Sequence, residues 1–166
     1  MGYSITPTTI NGSTGVSKVQ DGVVVQADLG PNVVGNGPAF RAYANAVTSI
    51  TSAINKVSLG VESFDTSGAF DTVLSRFQPA VAGYYQINGA TQFASGNYLV
   101  RAVLYKNGVA HSFGQGAVGP SADVGDIVFL NGTTDYLELY GYSATTQNTS
   151  ADSSQTYLSG FLARAA

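Results

Sequence analysis

His111 is the only histidine in the chain and there is no cysteine. Any nucleophile–imidazole chemistry therefore runs through one residue, and thiolate chemistry is closed. His111 follows the dipeptide Asn107-Gly108 in a run of strand-forming residues and is read as an exposed or hairpin-packed side chain. Asp65 and Asp71 have the residue type of a glycosidase pair, but they flank Ser67-Gly68, and carboxylates beside such a turn ordinarily accept local backbone hydrogen bonds. Asp123 and Asp126 around Gly125 lack the spaced oxygen ligands and closing glutamate of a calcium loop. Asn11, Asn131 and Asn148 begin glycosylation-type triplets of the kind that so polar a chain produces by chance. No residue takes a catalytic or metal role, and neither an enzyme activity nor a cofactor is expected.

What remains is the chemistry of contact. Charged residues make up 10% of the chain, far below the ordinary ~25%, so Ser, Thr, Asn, Gln, Gly and Tyr wet the surface. The formal net charge is -3 and no Lys/Arg cluster occurs, which argues against a nucleic-acid partner. No apolar run approaches the ~20 residues that cross a bilayer, and the start Met1-Gly-Tyr-Ser-Ile-Thr-Pro7 is not a signal peptide. The expectation is a complete, soluble, cytoplasmically made chain with no membrane partner.

The elements that position these contacts are strands. Residues 1–37 are rich in Gly, Thr, Ser and Asn and end in Gly35-Asn-Gly-Pro38. They are read as an extended arm, with Val23, Val24, Val25 and Leu29 as its partner-binding apolar patch. Residues 38–166 are read as one compact head. Residues 46–59 place Val47, Ile50, Ile54 and Val57 at helical spacing, but their β-branched content favours extended structure. Asn107-Gly108 signals a tight hairpin, and Asn131-Gly132 is read as a second one. Many short strands with turns between them imply an all-β sandwich.

Alternation assigns faces. Leu137 and Leu139 point to a core, while Tyr136, Glu138, Tyr140 and Tyr142 point away from it. In residues 98–105, Tyr98, Val100, Ala102 and Leu104 oppose Leu99, Val103 and Tyr105, interrupted only by Arg101, so the strand is apolar on both faces. A two-layer sandwich covers only one face of each sheet, and a neighbouring subunit is the expected cover for the other.

Several segments taken in order resemble the complement C1q / tumour-necrosis-factor jelly-roll family. Ala39-Phe-Arg-Ala42 resembles its first strand, and Phe64-Asp-Thr-Ser-Gly-Ala-Phe-Asp71 the region before its central motif. Arg76-Phe-Gln-Pro-Ala-Val-Ala-Gly-Tyr-Tyr85 resembles the entry to a core strand, and Val103-Leu-Tyr-Lys-Asn-Gly108 the hairpin. Asp135-Tyr-Leu-Glu-Leu139 resembles the penultimate strand, and Tyr157-Leu-Ser-Gly-Phe-Leu162 the closing one. Thr134 departs from the glycine that many members carry before the aspartate. The resemblance implies a ten-stranded jelly roll that assembles as a homotrimer, with Tyr84, Tyr85, Tyr136, Tyr140 and Tyr142 near subunit contacts. It also gives Gly160 a reading: a side chain is missing where another strand packs closely.

No collagen-like Gly-X-Y run accompanies these motifs. A cysteine-free, Ser/Thr/Asn-rich head with a short arm resembles the C1q-type heads of bacteriophage virion proteins. The function so implied is a non-enzymatic capsid decoration or cement protein, located in the virion, whose partners are its own copies and the major capsid protein or another virion component. The alternative is a receptor- or glycan-binding head at a fibre tip, or a secreted C1q-like recognition module.

Overall fold

The structure is a computed structural model that describes residues 36–166; Val23, Val24, Val25 and Leu29 of the expected arm lie outside the described residues. Fourteen strand segments follow in order: β1 (Ala39–Tyr43), β2 (Ser49–Ile50), β3 (Ile54–Lys56), β4 (Val61–Asp65), β5 (Phe70–Asp71), β6 (Arg76–Phe77), β7 (Gly83–Gln92), β8 (Leu99–Lys106), β9 (Val109–Phe113), β10 (Ala117–Val118), β11 (Ser121–Leu130), β12 (Leu137–Ser143), β13 (Gln147–Asn148) and β14 (Tyr157–Ala165). No helix occurs among the described residues. Several segments are two-residue bridges, so the number ten belongs to the resemblance rather than to these strand boundaries.

Five strands form one sheet in the order β11-β7-β14-β1-β4. A second sheet runs β10-β8-β12-β6-β5, with β9 paired to β8 and β3 to β12. The pairings within both sheets are antiparallel. Successive long strands change sheet, as from β7 to β8 and from β11 to β12, which wraps the chain around a shared core.

That core is built by alternation. Tyr85 and Ile87 of β7, Val124, Val128 and Leu130 of β11, and Leu158 and Leu162 of β14 turn inward from the first sheet. Val100, Ala102 and Leu104 of β8 and Leu137 and Leu139 of β12 turn inward from the second, and all belong to one buried cluster. Phe77 lies at its aromatic centre, stacked on Phe40 at 4.0 Å between ring centroids and edge-on to Tyr85 at 5.5 Å. Offset and edge-to-face arrangements match the charge distribution of the rings and add to the gain from burial. The Tyr85 hydroxyl donates to the Val81 carbonyl at 2.7 Å, which satisfies the one polar atom that this side chain carries inward. Burial pushes the Tyr85 phenol up to about 12.

Glycine is required where adjacent strands of the first sheet crowd together. A Cβ on Gly160 would stand 2.5 Å from Ile87 Cδ1 and 2.8 Å from the Gln86 carbonyl oxygen, the close strand approach expected for this position. Asn107 and Gly108 adopt φ of 54° and 76°, and Lys106 pairs with Val109, so the tight hairpin is present with positive φ at both central residues.

The hairpin expected at Asn131-Gly132 is absent. β11 pairs with β7 in one sheet and β12 with β8 in the other, so this loop passes between layers. Of its two residues only Gly132 has positive φ, 71°. The Asn131 side chain instead caps the loop, its Oδ1 accepting from the backbone N–H of Thr133, Thr134 and Asp135 at 2.9–3.0 Å. An Asx cap satisfies three donors that a strand partner would otherwise take.

Residues 46–59 are extended or irregular, with β2 and β3 as their short strands. Ile50 and Val57 are buried whereas Val47 is exposed, so the helical spacing does not define one face.

The interlayer loop is tied to the Asn107-Gly108 hairpin through Asp135. Its carboxylate accepts from Asn107 Nδ2 at 2.8 Å and from the Asn131 N–H at 3.1 Å, and Lys106 Nζ lies 2.9 Å from Oδ2. The hydrogen bonds from Asn107 and Lys106 hold this carboxyl below its ordinary value of 3.8 despite the opposing effect of burial. A depressed folded-state pKa contributes stability that is present above the unfolded value and is lost as pH falls through the folded one. Acid titration of the urea midpoint is expected to show wild type losing stability below about pH 4, with an Asp135→Asn variant less stable at neutral pH and the gap narrowing as acid is added. A gap that stays constant with pH would remove the carboxylate's role.

Candidate functional site

The residues named for chemistry are accounted for locally. Asp65 accepts from the N–H groups of Ser67 and Phe70, and Asp71 from those of Val73 and Leu74, the turn role expected of both. His111 Nε2 lies 3.8 Å from Asp126 Oδ2, while the Ser112 hydroxyl donates to that same carboxylate oxygen. Serine and histidine thus share an acceptor and no serine–imidazole pair is formed. Among the described residues no group of three His, Cys, Asp or Glu side chains converges.

The outward face of the five-stranded sheet is different in kind. Over residues 84–87, 127–130 and 158–162 its strands alternate, so each inward core residue leaves its neighbour outward. In β11 the neighbours of Val128 and Leu130 are Ile127 and Phe129; in β7 the neighbour of Tyr85 is Tyr84; in β14 the neighbour of Leu162 is Phe161. Registry lines them up. Phe129 pairs with Tyr84, and Ile127 pairs with Gln86, which in turn pairs with Phe161. These four side chains remain 57% (Ile127), 49% (Phe161), 46% (Tyr84) and 39% (Phe129) exposed. The Tyr84 and Phe129 rings lie 5.4 Å apart. Beside them Ala163, Arg164 and Ala165 complete a shallow depression of about 570 Å³. Phe64 extends the apolar character towards the opposite edge.

The expected contact tyrosines are divided by the structure. Tyr84 lies in this exposed patch. Tyr85 is corrected: at 0% exposure it is a core residue of its own chain and has no surface to give a partner. Tyr136, Tyr140 and Tyr142 are half-buried on the other sheet or its loop. Tyr140 stacks on Tyr105 at 3.7 Å between centroids, and Arg76 lies over the Tyr136 ring at 4.9 Å. Burial, with Glu138 adding, pushes the Tyr140 phenol up to about 12. The second apolar face of β8 is also corrected. Val103 is 0% exposed within the single chain, flanked in register by Tyr140 on one side and Phe113 on the other, so it needs no neighbouring subunit to cover it.

Ile127, Phe129 and Phe161 are exposed apolar residues that the sequence reading passed over. The signal was present in Asp126-Ile-Val-Phe-Leu130, which is apolar on both faces in the same way as the stretch 98–105.

Two packed antiparallel sheets with interlayer crossovers define a protein of the C1q/TNF-like jelly-roll fold. No family model matches the chain, and no curated protein matches it in sequence. Solved structures do match. Murine APRIL at pH 8.5 is 12% identical, covering 75% of this chain and 98% of its own with a TM-score of 0.60. Eiger TNF from S. frugiperda is 9% identical, covering 77% and 93% with a TM-score of 0.62. The globular domain of zebrafish complement 1qA protein is 16% identical, covering 78% and 99% with a TM-score of 0.54. At these identities the likeness is one of fold.

Proposed function

We propose that the protein is a non-enzymatic, homotrimeric head that decorates a bacteriophage capsid, with residues 1–37 as the attachment arm. The observation that carries the assembly is the outward stripe of Tyr84, Ile127, Phe129 and Phe161. Contiguous exposed aromatics and aliphatics on an otherwise polar chain mark an interaction surface. Each such side chain brings about 1.5–3 kcal/mol when fully buried, against the several kcal/mol that association costs. A second copy of the same face is the simplest cover, and three copies are what the resemblance to C1q and tumour-necrosis-factor heads implies.

The virion setting is supported by composition: few charges, no cysteine and a Ser/Thr/Asn-rich surface. Three arms acting together hold a shell more tightly than one through effective concentration. Val23, Val24, Val25 and Leu29 supply each arm's apolar contact.

Light scattering of the full chain and of residues 38–166 tests the assembly. The expected mass is three times the 17.1 kDa chain for the full protein, with the truncation also trimeric. Co-sedimentation of the full chain, but not the truncation, with capsids of its phage is then expected. A monomer in both forms sinks the trimeric head, and equal capsid binding by both forms removes the arm's role.

A further inference from the structure

Arg101, on the outward face of the second sheet, is a half-buried cation that its own chain does not answer. Arg41 donates to the Ser63 hydroxyl and the Ser153 carbonyl, Lys56 pairs with Glu138, Arg76 covers Tyr136, and Lys106 pairs with Asp135. Among the described residues Arg101 makes no hydrogen bond, ion pair or ring contact, although it is half-buried. Its nitrogens are not fully buried, so water reaches them, and a bound counter-charge would replace that water with a charge-assisted contact.

The surroundings select among anions. Tyr142 pairs with Arg101 across β12 and β8, so the two side chains stand side by side, and the Tyr142 hydroxyl is also without a hydrogen bond. Both line a cavity of about 350 Å³ whose other walls are Ala53, Ile54, Leu99 and Phe113. Room for the guanidinium depends on Gly116, where a Cβ would stand 2.6 Å from Arg101 Nε. One cation and one hydroxyl in an otherwise apolar, aromatic-walled hollow is the composition of a small-molecule site. A bare inorganic anion makes no use of the apolar walls, and a wholly apolar ligand leaves the guanidinium unpaired.

We infer that this cavity binds a carboxylate-bearing pyranose, a hexuronic acid residue. The carboxylate meets the Arg101 guanidinium, whose planar fork accommodates two parallel hydrogen bonds. The sugar's C–H face lies on the aromatic wall, and a ring hydroxyl meets the Tyr142 oxygen. Arg101 and Tyr142 are on the sheet opposite Ile127 and Phe129, so the site stands whether or not the trimer does.

Isothermal titration of the full chain tests it with three probes: methyl β-D-glucuronide, its neutral counterpart methyl β-D-glucoside, and inorganic phosphate. The expected result is saturable glucuronide binding, with the glucoside and phosphate each weaker by about tenfold or more. Arg101→Gln is expected to weaken glucuronide by about tenfold with an unchanged melting temperature, since Arg101 makes no contact that holds the fold, and Tyr142→Phe by roughly threefold. An Ile127→Asp variant is expected to bind glucuronide as wild type does. Absence of saturable binding, equal binding of the glucoside, phosphate binding as tight as glucuronide, or unchanged affinity in Arg101→Gln would each overturn the inference.

Discussion

Ile127→Asp is expected to convert the proposed trimer to a monomer at micromolar concentration without unfolding the chain. Ile127 is more than half exposed in the single subunit, so aspartate there meets water and leaves the core intact. In an assembly that buries the stripe, the same carboxylate loses its hydration beside Phe129 and Phe161; its cross-strand partner is the neutral Gln86, and Arg164, the cation that lines the same depression, is in register with Tyr84 instead. An uncompensated buried charge costs several kcal/mol, and closed symmetry repeats that cost at every interface. A loss of about 3 kcal/mol per interface weakens each contact by roughly a hundredfold. Light scattering and sedimentation read the outcome directly, and far-ultraviolet circular dichroism reports whether the strands persist.

Tyr142→Ser is the companion variant. It changes the opposite sheet and is expected to leave the mass unchanged. A trimeric Ile127→Asp protein combined with a monomeric Tyr142→Ser protein would transfer assembly to the sheet bearing Tyr140 and Tyr142 and refute the exposed stripe as the contact surface.

Phe77→Ala is expected to be the most damaging substitution in the core, costing about 3–5 kcal/mol. Phe77 is fully buried and touches aromatic rings from two strands of the facing sheet, Phe40 of β1 and Tyr85 of β7. Its removal therefore opens a cavity between layers and also ends two ring contacts that each contribute about 0.5–1.5 kcal/mol beyond area. The stability of a domain is about 5–15 kcal/mol, so this one change takes roughly a fifth of it or more. Urea unfolding at fixed protein concentration should show a large fall in midpoint at unchanged slope; fixing the concentration keeps assembly from altering the comparison. Phe77→Leu, which refills most of the volume, should recover part of the loss. A change under about 1 kcal/mol for Phe77→Ala would mean that the layers close over the gap and that the stack is not central.

Local physics made much of this molecule readable in advance. Positive φ at two adjacent positions suits Asn-Gly, so the Asn107-Gly108 hairpin followed from two residues. Alternation put Leu137 and Leu139 inward, and turn chemistry gave Asp65 and Asp71 backbone donors as neighbours. Gly160 had a close strand beside it. Each of these depends on residues adjacent in the chain or on the period of a strand.

The surfaces were decided elsewhere. Period two separates the faces of a strand, but it does not say which sheet the strand joins or what lies over its second face. Asp126-Ile-Val-Phe-Leu130 and Leu99-Val-Arg-Ala-Val-Leu-Tyr105 carry the same doubly apolar pattern. One leaves Ile127 and Phe129 in water, while the other has Val103 flanked by Phe113 of its own hairpin and by Tyr140 of β12, a strand distant in sequence. Asn131-Gly132 has the residues of a hairpin, yet its flanking strands found better partners in opposite layers. Composition, strand period and turn chemistry were written in the sequence. Which apolar faces stay open, and which cation stays unpaired, emerged only when non-local strand pairing set residues of distant segments side by side.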